Sequence, residues 1–267
     1  VEDKRQKIQE WFDIPKPKFP VGAVVFGALL AIMGFALAAN GGNGTGAGLG
    51  VLALGAIVIA IPTVGYSGKK KKYEGRPPVD QMLRWLREDC EALKAVSLNK
   101  LGLDPSELKG ESIIVRGPLF SEQRGLRTDE IAKRRRIDEN VPDSPYLYAC
   151  WTYMVIHFAA NVMGTYKCSY NWYRNAAVND ATEEFGYESV VSVKTETESS
   201  AYTLIDKTLQ NAFRFVLTLT GGNDPITVRL CDPAMKSASE EEDKTLGEKA
   251  VQRIRTLKRD RAAAAGR

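Results

Sequence analysis

Between Pro20 and Tyr66 the chain carries no Asp, Glu, Lys, Arg or His, although 26% of its 267 residues are Asp, Glu, Lys or Arg. Charge this unevenly spread separates a membrane module from a water-soluble one. Other absences narrow the function. There is one histidine, His157, and the four cysteines, Cys90, Cys150, Cys168 and Cys231, form no C-x-x-C pair. A structural zinc site needs closely spaced Cys or His ligands, and a soluble region this long needs no disulfide framework. No metal is therefore expected, and the thiols are expected to be reduced and buried. No G-x-S-x-G, H-E-x-x-H or Walker-type loop occurs. The glycine-rich stretch Asn40–Gly48 lacks the Lys-Ser/Thr ending of a phosphate cradle. A net charge of +4 is too small to argue for nucleic acid.

Two apolar runs fill the uncharged window. Pro20 to Ala39 reads PVGAVVFGALLAIMGFALAA, and Leu49 to Tyr66 reads LGVLALGAIVIAIPTVGY. Each is close to the ~20 residues that cross ~30 Å of hydrocarbon as a helix. Asn40 to Gly48 between them is rich in glycine and asparagine and predicts a tight reversal, so the runs form a hairpin of spans 20–39 and 49–66. A cleaved signal peptide is the rival for the first run. Its length and the second run directly behind it argue against that reading.

The flanks set the orientation. Lys4, Arg5, Lys7, Lys16 and Lys18 precede the first span; Lys69, Lys70, Lys71, Lys72 and Arg76 follow the second. The connecting loop has no basic residue. The positive-inside rule then puts both termini in the cytoplasm of an inner or intracellular membrane, with residues 1–19 a cytoplasmic N-terminal segment. The four lysines serve first as a topology determinant, and the sharper alternative is contact with anionic lipid headgroups. Small residues at Ala23, Gly27 and Ala31, and at Ala56 and Ala60, have the spacing of close helix packing. They either join the two spans or dock another membrane protein. With no ionisable residue in either span, a proton relay or ion path there is not expected.

Residues 67–145 read as linker and helical adaptor. Val79, Met82, Leu83, Leu86, Cys90, Leu93 and Val96 make one apolar helical face after Pro77-Pro78. Asp104-Pro105-Ser106-Glu107 predicts a capped turn, and Ser112–Leu119 a strand. The basic run Lys133, Arg134, Arg135 and Arg136 falls in a predicted short helix starting at Thr128. A solvated face is its plain reading; contact with phosphate headgroups or an acidic partner is the sharper one.

From Tyr146 to the end the pattern is that of strands. YLYACWTYMVIHFAA is rich in aromatic and β-branched residues, and Tyr166, Cys168, Tyr170 and Trp172 alternate. Tyr146 to Met163 is long enough to be mistaken for a third span, but its composition favours a buried strand pair. Asn175 and Asn179-Asp180 punctuate a predicted loop, and Phe185–Thr197 a further strand. Phe213, Phe215, Leu217 and Leu219 lead through Gly221-Gly222-Asn223-Asp224 into Ile226, Val228 and Leu230, a hairpin. A helix closes the chain, with Ser239 and Glu242 as a capping box, an apolar stripe of Leu246, Ala250, Ile254 and Leu257, and a frayed AAAAGR end.

EEFGYESVVSVKTE, Glu183 to Glu196, followed by FRFVLTLTGG and ITVRL and then the closing helix, resembles bacterial pleckstrin-homology-like domains attached to membrane hairpins. The similarity is architectural and covers roughly Tyr146 to Leu257; Val79–Val141 has no counterpart in it. It implies a small antiparallel barrel or sandwich over 146–267, plugged by a C-terminal helix and serving as a scaffold rather than a catalyst. The fold class expected is thus a membrane-anchored α+β protein: a two-helix transmembrane hairpin, a helical adaptor and a PH-like β domain.

No catalytic residue or cofactor site is predicted. His157 lies in an apolar run and reads as a core histidine rather than a base. The acids at Glu240–Asp243 suit a helix start, and Glu183-Glu184 a strand edge. The aromatic excess at Tyr148, Trp151, Tyr166, Tyr170 and Trp172 points to an interface. The expectation is a non-enzymatic membrane-anchored scaffold, an accessory subunit contacting membrane lipids and other membrane proteins or a second copy of itself. The alternative is a lipid-sensing regulator or membrane-bound enzyme using the basic segments.

Overall fold

The computed structural model describes residues 2–39, 44–119, 121, 123–198, 202–203, 208–209, 212–220, 225–231 and 236–265. In chain order the elements are α1 (Glu2–Asp13), α2 (Val21–Ala39), α3 (Gly44–Glu74), α4 (Val79–Leu101), β1 (Ile113–Pro118), α5 (Thr128–Ile131), β2 (Arg134–Arg136), β3 (Tyr146–Tyr148), β4 (Cys150–Phe158), β5 (Val162–Asn171), β6 (Ala176–Gly186), β7 (Val190–Glu198), β8 (Tyr202–Thr203), β9 (Thr208–Leu209), β10 (Ala212–Leu219), β11 (Ile226–Cys231) and α6 (Glu240–Ala265). They fall into two units, Asp13–Pro77 and Val1–Phe12 with Pro78–Arg267.

The first unit is a pair of apolar helices, each long and apolar enough to cross a membrane. α3 is longer than the expected 49–66, because the stretch 44–48 holds no proline and the lysines, good helix formers, carry the helix on to Glu74. Residues 40–43 of the expected reversal lie outside the described residues. The helices meet on glycines seven residues apart: Gly27 and Gly34 of α2 face Gly55 and Gly48 of α3. A Cβ on Gly27 would come within 2.8 Å of the Gly55 carbonyl oxygen, and one on Gly55 within 2.7 Å of that of Gly27. Ala31 belongs to this seam, since the same Gly55 Cβ would meet its backbone nitrogen at 2.8 Å. Ala56 and Ala60 are exposed and lie off this seam, so they do not join the two spans, and Ala23 is half-buried. The closest approach selects the residue with no Cβ at all, and α3 is apolar all round, so hydrophobic periodicity could not mark its contact stripe.

The second unit is α+β with antiparallel sheets. One sheet has the order β1-β4-β5-β6 and another β7-β10-β11; β2 with β3 and β8 with β9 form short pairs. Strands β1, β4 and β5 of sheet one send side chains alternately to two faces, and both faces are largely buried, while β6 is mostly exposed. Ile114, Trp151, Tyr153, Val155, Tyr166, Cys168 and Tyr170 pack against Ile8 and Trp11 of α1 and Met82, Leu86 and Leu93 of α4. On the other face Val115, Met154, Ile156, Phe158 and Met163 pack against Phe215, Leu217, Val228 and Leu230 of the second sheet and Ala250 and Ile254 of α6.

These two cores redraw the expected boundaries. β1, assigned by sequence to the helical adaptor, pairs with β4 along its whole length, Ile113 opposite Ile156 through Pro118 opposite Trp151. α4 and residues 2–12 lie on the same sheet, so residues 1–12 and 78–145 belong to one unit with the region 146–267 rather than to a separate segment and adaptor. The pairing spans about forty residues of chain, beyond the reach of local pattern. β1 also crosses β11, and the crossing requires a glycine: a Cβ on Gly117 would overlap the Arg229 carbonyl.

Tyr146–Phe158 forms β3 and β4 rather than a helix. The loop expected around Asn175–Asp180 ends at Asn175, and β6 runs straight through Asn179. Both asparagines adopt positive φ (59° and 52°), and asparagine tolerates that region better than other side chains. The strand expected over Phe185–Thr197 breaks into the end of β6, a turn at Tyr187–Ser189, and β7. β10 and β11 pair as expected, while the turn Gly221–Asp224 lies outside the described residues. The Asp104 turn carries a capping box at its start: Ser106 N–H donates to Asp104 (2.8 Å) and Asp104 N–H to Glu107 (3.0 Å). No capping box joins Ser239 and Glu242 among the described residues. The Ser239 hydroxyl donates to Asp243 at 2.7 Å, and Glu242 reaches Arg87 and Arg116.

Candidate functional site

The aromatic residues expected at an interface are inside the protein. Tyr148, Trp151, Tyr166, Tyr170 and Trp172 are at most 3% exposed. The surface they recognise belongs to their own chain, because α1 and α4 cover this face. The Trp172 indole N–H donates to Asp89 at 2.9 Å, and Lys4 and Arg5 of α1 bind the same carboxylate at 2.8 and 3.2 Å. Tyr153 and Tyr170 stack edge-on with centroids 5.5 Å apart. Composition showed the aromatic excess, but not that helices distant in sequence would cover it.

The basic run is not a helix either. Arg134–Arg136 is β2, which pairs with β3, Arg135 opposite Leu147. Arg135 is 8% exposed; it bonds Glu139 and donates to the Trp11 carbonyl at 2.6 Å. Arg134 and Arg136 lie 5.8 and 5.5 Å from the Tyr146 ring centroid, and Lys133 lies 4.3 Å from that of Tyr173. The run therefore does not form one lipid-facing patch, because alternation along a strand sends its middle arginine inward. The other basic run, Lys69–Lys72, is exposed on the last turns of α3, with Lys70 3.7 Å from Glu74.

A buried polar centre joins α4, β1 and α6. Arg116 Nε donates to Asp243 at 2.6 Å and its Nη1 to the Cys90 sulfur at 3.1 Å, while the Cys90 thiol reaches the Tyr153 hydroxyl at 3.0 Å. Burial raises the Cys90 thiol, with Arg116 partly opposing it. Burial likewise pushes Cys150 up to about 12 and Cys168 to about 11. All three are reduced and buried, and protonated thiols are poor nucleophiles. The side chain of Cys231 is not among those described. Sequence reading missed Arg116 as a centre, although a lone arginine after Ile113-Ile114-Val115 was a visible signal for a buried ion pair.

His157 is fully buried, with Ser97 Oγ 2.6 Å from Nε2 and Ser112 Oγ 2.6 Å from Nδ1. Burial, and then the Lys94 charge, lower its pKa to about 4. A neutral imidazole with one hydroxyl on each nitrogen can donate to one serine and accept from the other. This matches the core role read from the sequence. Among the described residues no group of three or more His, Cys, Asp or Glu could hold a metal.

This unit has several concave surfaces, and two of them adjoin β1. One, about 320 Å³, is floored by β1 and walled by α4 and α6, with Lys94, Ser112 and Glu242 in its lining. The other, about 540 Å³, opens where the ends of β1, β4, β5 and β6 meet the start of β11; Thr152, Lys167, Ser169, Glu183 and Arg229 line it. Comparison with known proteins finds no matching family model, no matching curated protein and no matching solved structure.

Proposed function

We propose that this protein is a non-enzymatic scaffold held in a membrane by the α2–α3 hairpin, with both chain ends on the lysine-rich, cytoplasmic side. The observation carrying the reading is the surface of the hairpin. Phe26, Leu29, Ile32, Phe35, Ile61 and Val64 are all more than half exposed, on helices with no acidic or basic residue from Val21 to Tyr66. Water would disfavour such a surface; lipid or another apolar helix suits it. Phe19 and Tyr66, edge-on at 5.2 Å, fit an interfacial ring pair, and the exposed lysines beyond Tyr66 fit the cytoplasmic boundary. Four strands in one sheet, three in the next and a closing helix support the PH-like reading of the second unit.

The chemistry-bearing groups support a binding role over catalysis, since the histidine and the described thiols are taken up in the core. The exposed Lys69–Lys72 run favours anionic headgroups as a second contact. The test uses the full chain in native membranes. Extraction should resist alkaline carbonate, a C-terminal tag should survive protease added outside intact cells, and mild detergent should release the chain in a complex. Digestion of the tag defeats the topology, and a clean monomer at every concentration defeats the scaffold role.

A further inference from the structure

The sheet face that carries the second core changes character toward one end. On β4 the residues facing the second sheet run Phe158, Ile156, Met154 and then Thr152. On β5 the same face runs Met163, Thr165, Lys167 and Ser169, with Lys167 opposite Met154 and Ser169 opposite Thr152. β6 continues it with Phe185, then Glu183 opposite Thr165 and Ala181 opposite Lys167. An apolar sequence would have extended the core here. Instead hydroxyls and an ammonium line a cleft of about 540 Å³, whose lining also includes β11.

Lys167 is the unusual member. It is half-buried, and its ammonium forms no hydrogen bond or ion pair with any described residue. Burial lowers its pKa, and the field of Glu183 only partly offsets this. A desolvated ammonium with no partner is destabilising. A chain selected for stability alone would place an apolar residue beside Met154. An unpaired cation and two hydroxyl donors around one space match an anion with several acceptor oxygens. The volume exceeds that of a bare ion and lies in the range of small-molecule sites.

We propose that this cleft binds a phosphate monoester, with Lys167 on the phosphate, Thr152 and Ser169 as hydroxyl donors, and Glu183 accepting from a hydroxyl on the organic part. The proposal goes beyond the scaffold reading and does not depend on it. The shared chemistry could come from a soluble sugar phosphate or from a lipid headgroup such as phosphatidic acid.

The full chain is titrated in detergent micelles with glycerol 3-phosphate and glucose 6-phosphate by calorimetry, then in nanodiscs with and without phosphatidic acid. We expect saturable binding that inorganic phosphate competes away. Sugar-phosphate binding unaffected by phosphatidic acid identifies a soluble ligand, and binding abolished by it identifies the headgroup. Lys167→Met should weaken binding tenfold or more and raise the melting temperature of the unliganded protein. If that variant does not fold, the near-isosteric pair Thr152→Val and Ser169→Ala should weaken binding severalfold. Absence of binding to all of these anions, or unchanged affinity in the variant that folds, overturns the site.

Discussion

Arg116 Nε lies 2.6 Å from Asp243 Oδ1, with the two side chains 3% and 0% exposed. The contact ties the middle of β1 to the first turn of α6. Glu242, 3.2 Å from Arg116, and the Cys90 sulfur complete the surroundings of the guanidinium. Burial disfavours its charge, but Asp243 leads a set of neighbours that outweighs burial and holds the guanidinium pKa above its ordinary value.

Removing one partner of such a pair leaves the other charged in the core. Arg116→Met should destabilise the second unit by about 3–5 kcal/mol, whereas Arg116→Met with Asp243→Leu should recover much of that loss. Denaturant unfolding followed by tryptophan fluorescence measures both. Equal destabilisation of the single and double variants would show that the charges do not act as a pair.

His157 gives a pH dependence of definite sign. Its folded pKa of about 4 lies below the ordinary 6.5, so between these values the unfolded chain binds the extra proton. The histidine's contribution is complete above about pH 6.5, is lost as pH falls toward 4, and amounts to about 3 kcal/mol in all. In His157→Gln the fall in melting temperature between neutral and mildly acid pH should shrink. An unaltered pH profile would remove the histidine from the explanation.

Gly117 sits where β1 passes β11, and any Cβ there meets the Arg229 carbonyl. Gly117→Ala must push the strands apart and should cost about 1–3 kcal/mol. Gly65→Ala, with nothing within 4 Å of the added methyl, should leave its unit unharmed. Thermal melts of the two variants provide the comparison.

Asp89 is the common partner of Lys4, Arg5 and Trp172. Asp89→Ala should loosen α1 from the sheet and raise amide hydrogen exchange in residues 2–12 by tenfold or more, while the β4–β5 ladder stays protected. Exchange read by mass spectrometry resolves the two regions. Equal loss of protection in both would mean that Asp89 supports the whole unit.

The amino-acid sequence alone determined the elements whose signal is local and periodic. The uncharged window specified α2 and most of α3, six of the seven apolar positions of α4 its packed face, with Val96 left exposed, and the alternation from Phe213 to Leu230 the β10–β11 hairpin. It also specified a histidine in the core. Tertiary structure decided which faces meet. The aromatic strands looked like an unsatisfied interface because α1 and α4, which cover them, lie far away in sequence. The basic run looked like a helix face until β3 paired with it and turned Arg135 inward. The helix seam fell on Gly48 and Gly55 rather than Ala56 and Ala60, since only backbone approach in three dimensions selects among equally apolar stripes. The polar end of sheet one, with Lys167 beside the extension of a core, became visible only once β4, β5 and β6 were in register. Local pattern fixes the period of an element, but long-range pairing fixes its neighbours, and the neighbours decide what a side chain can do.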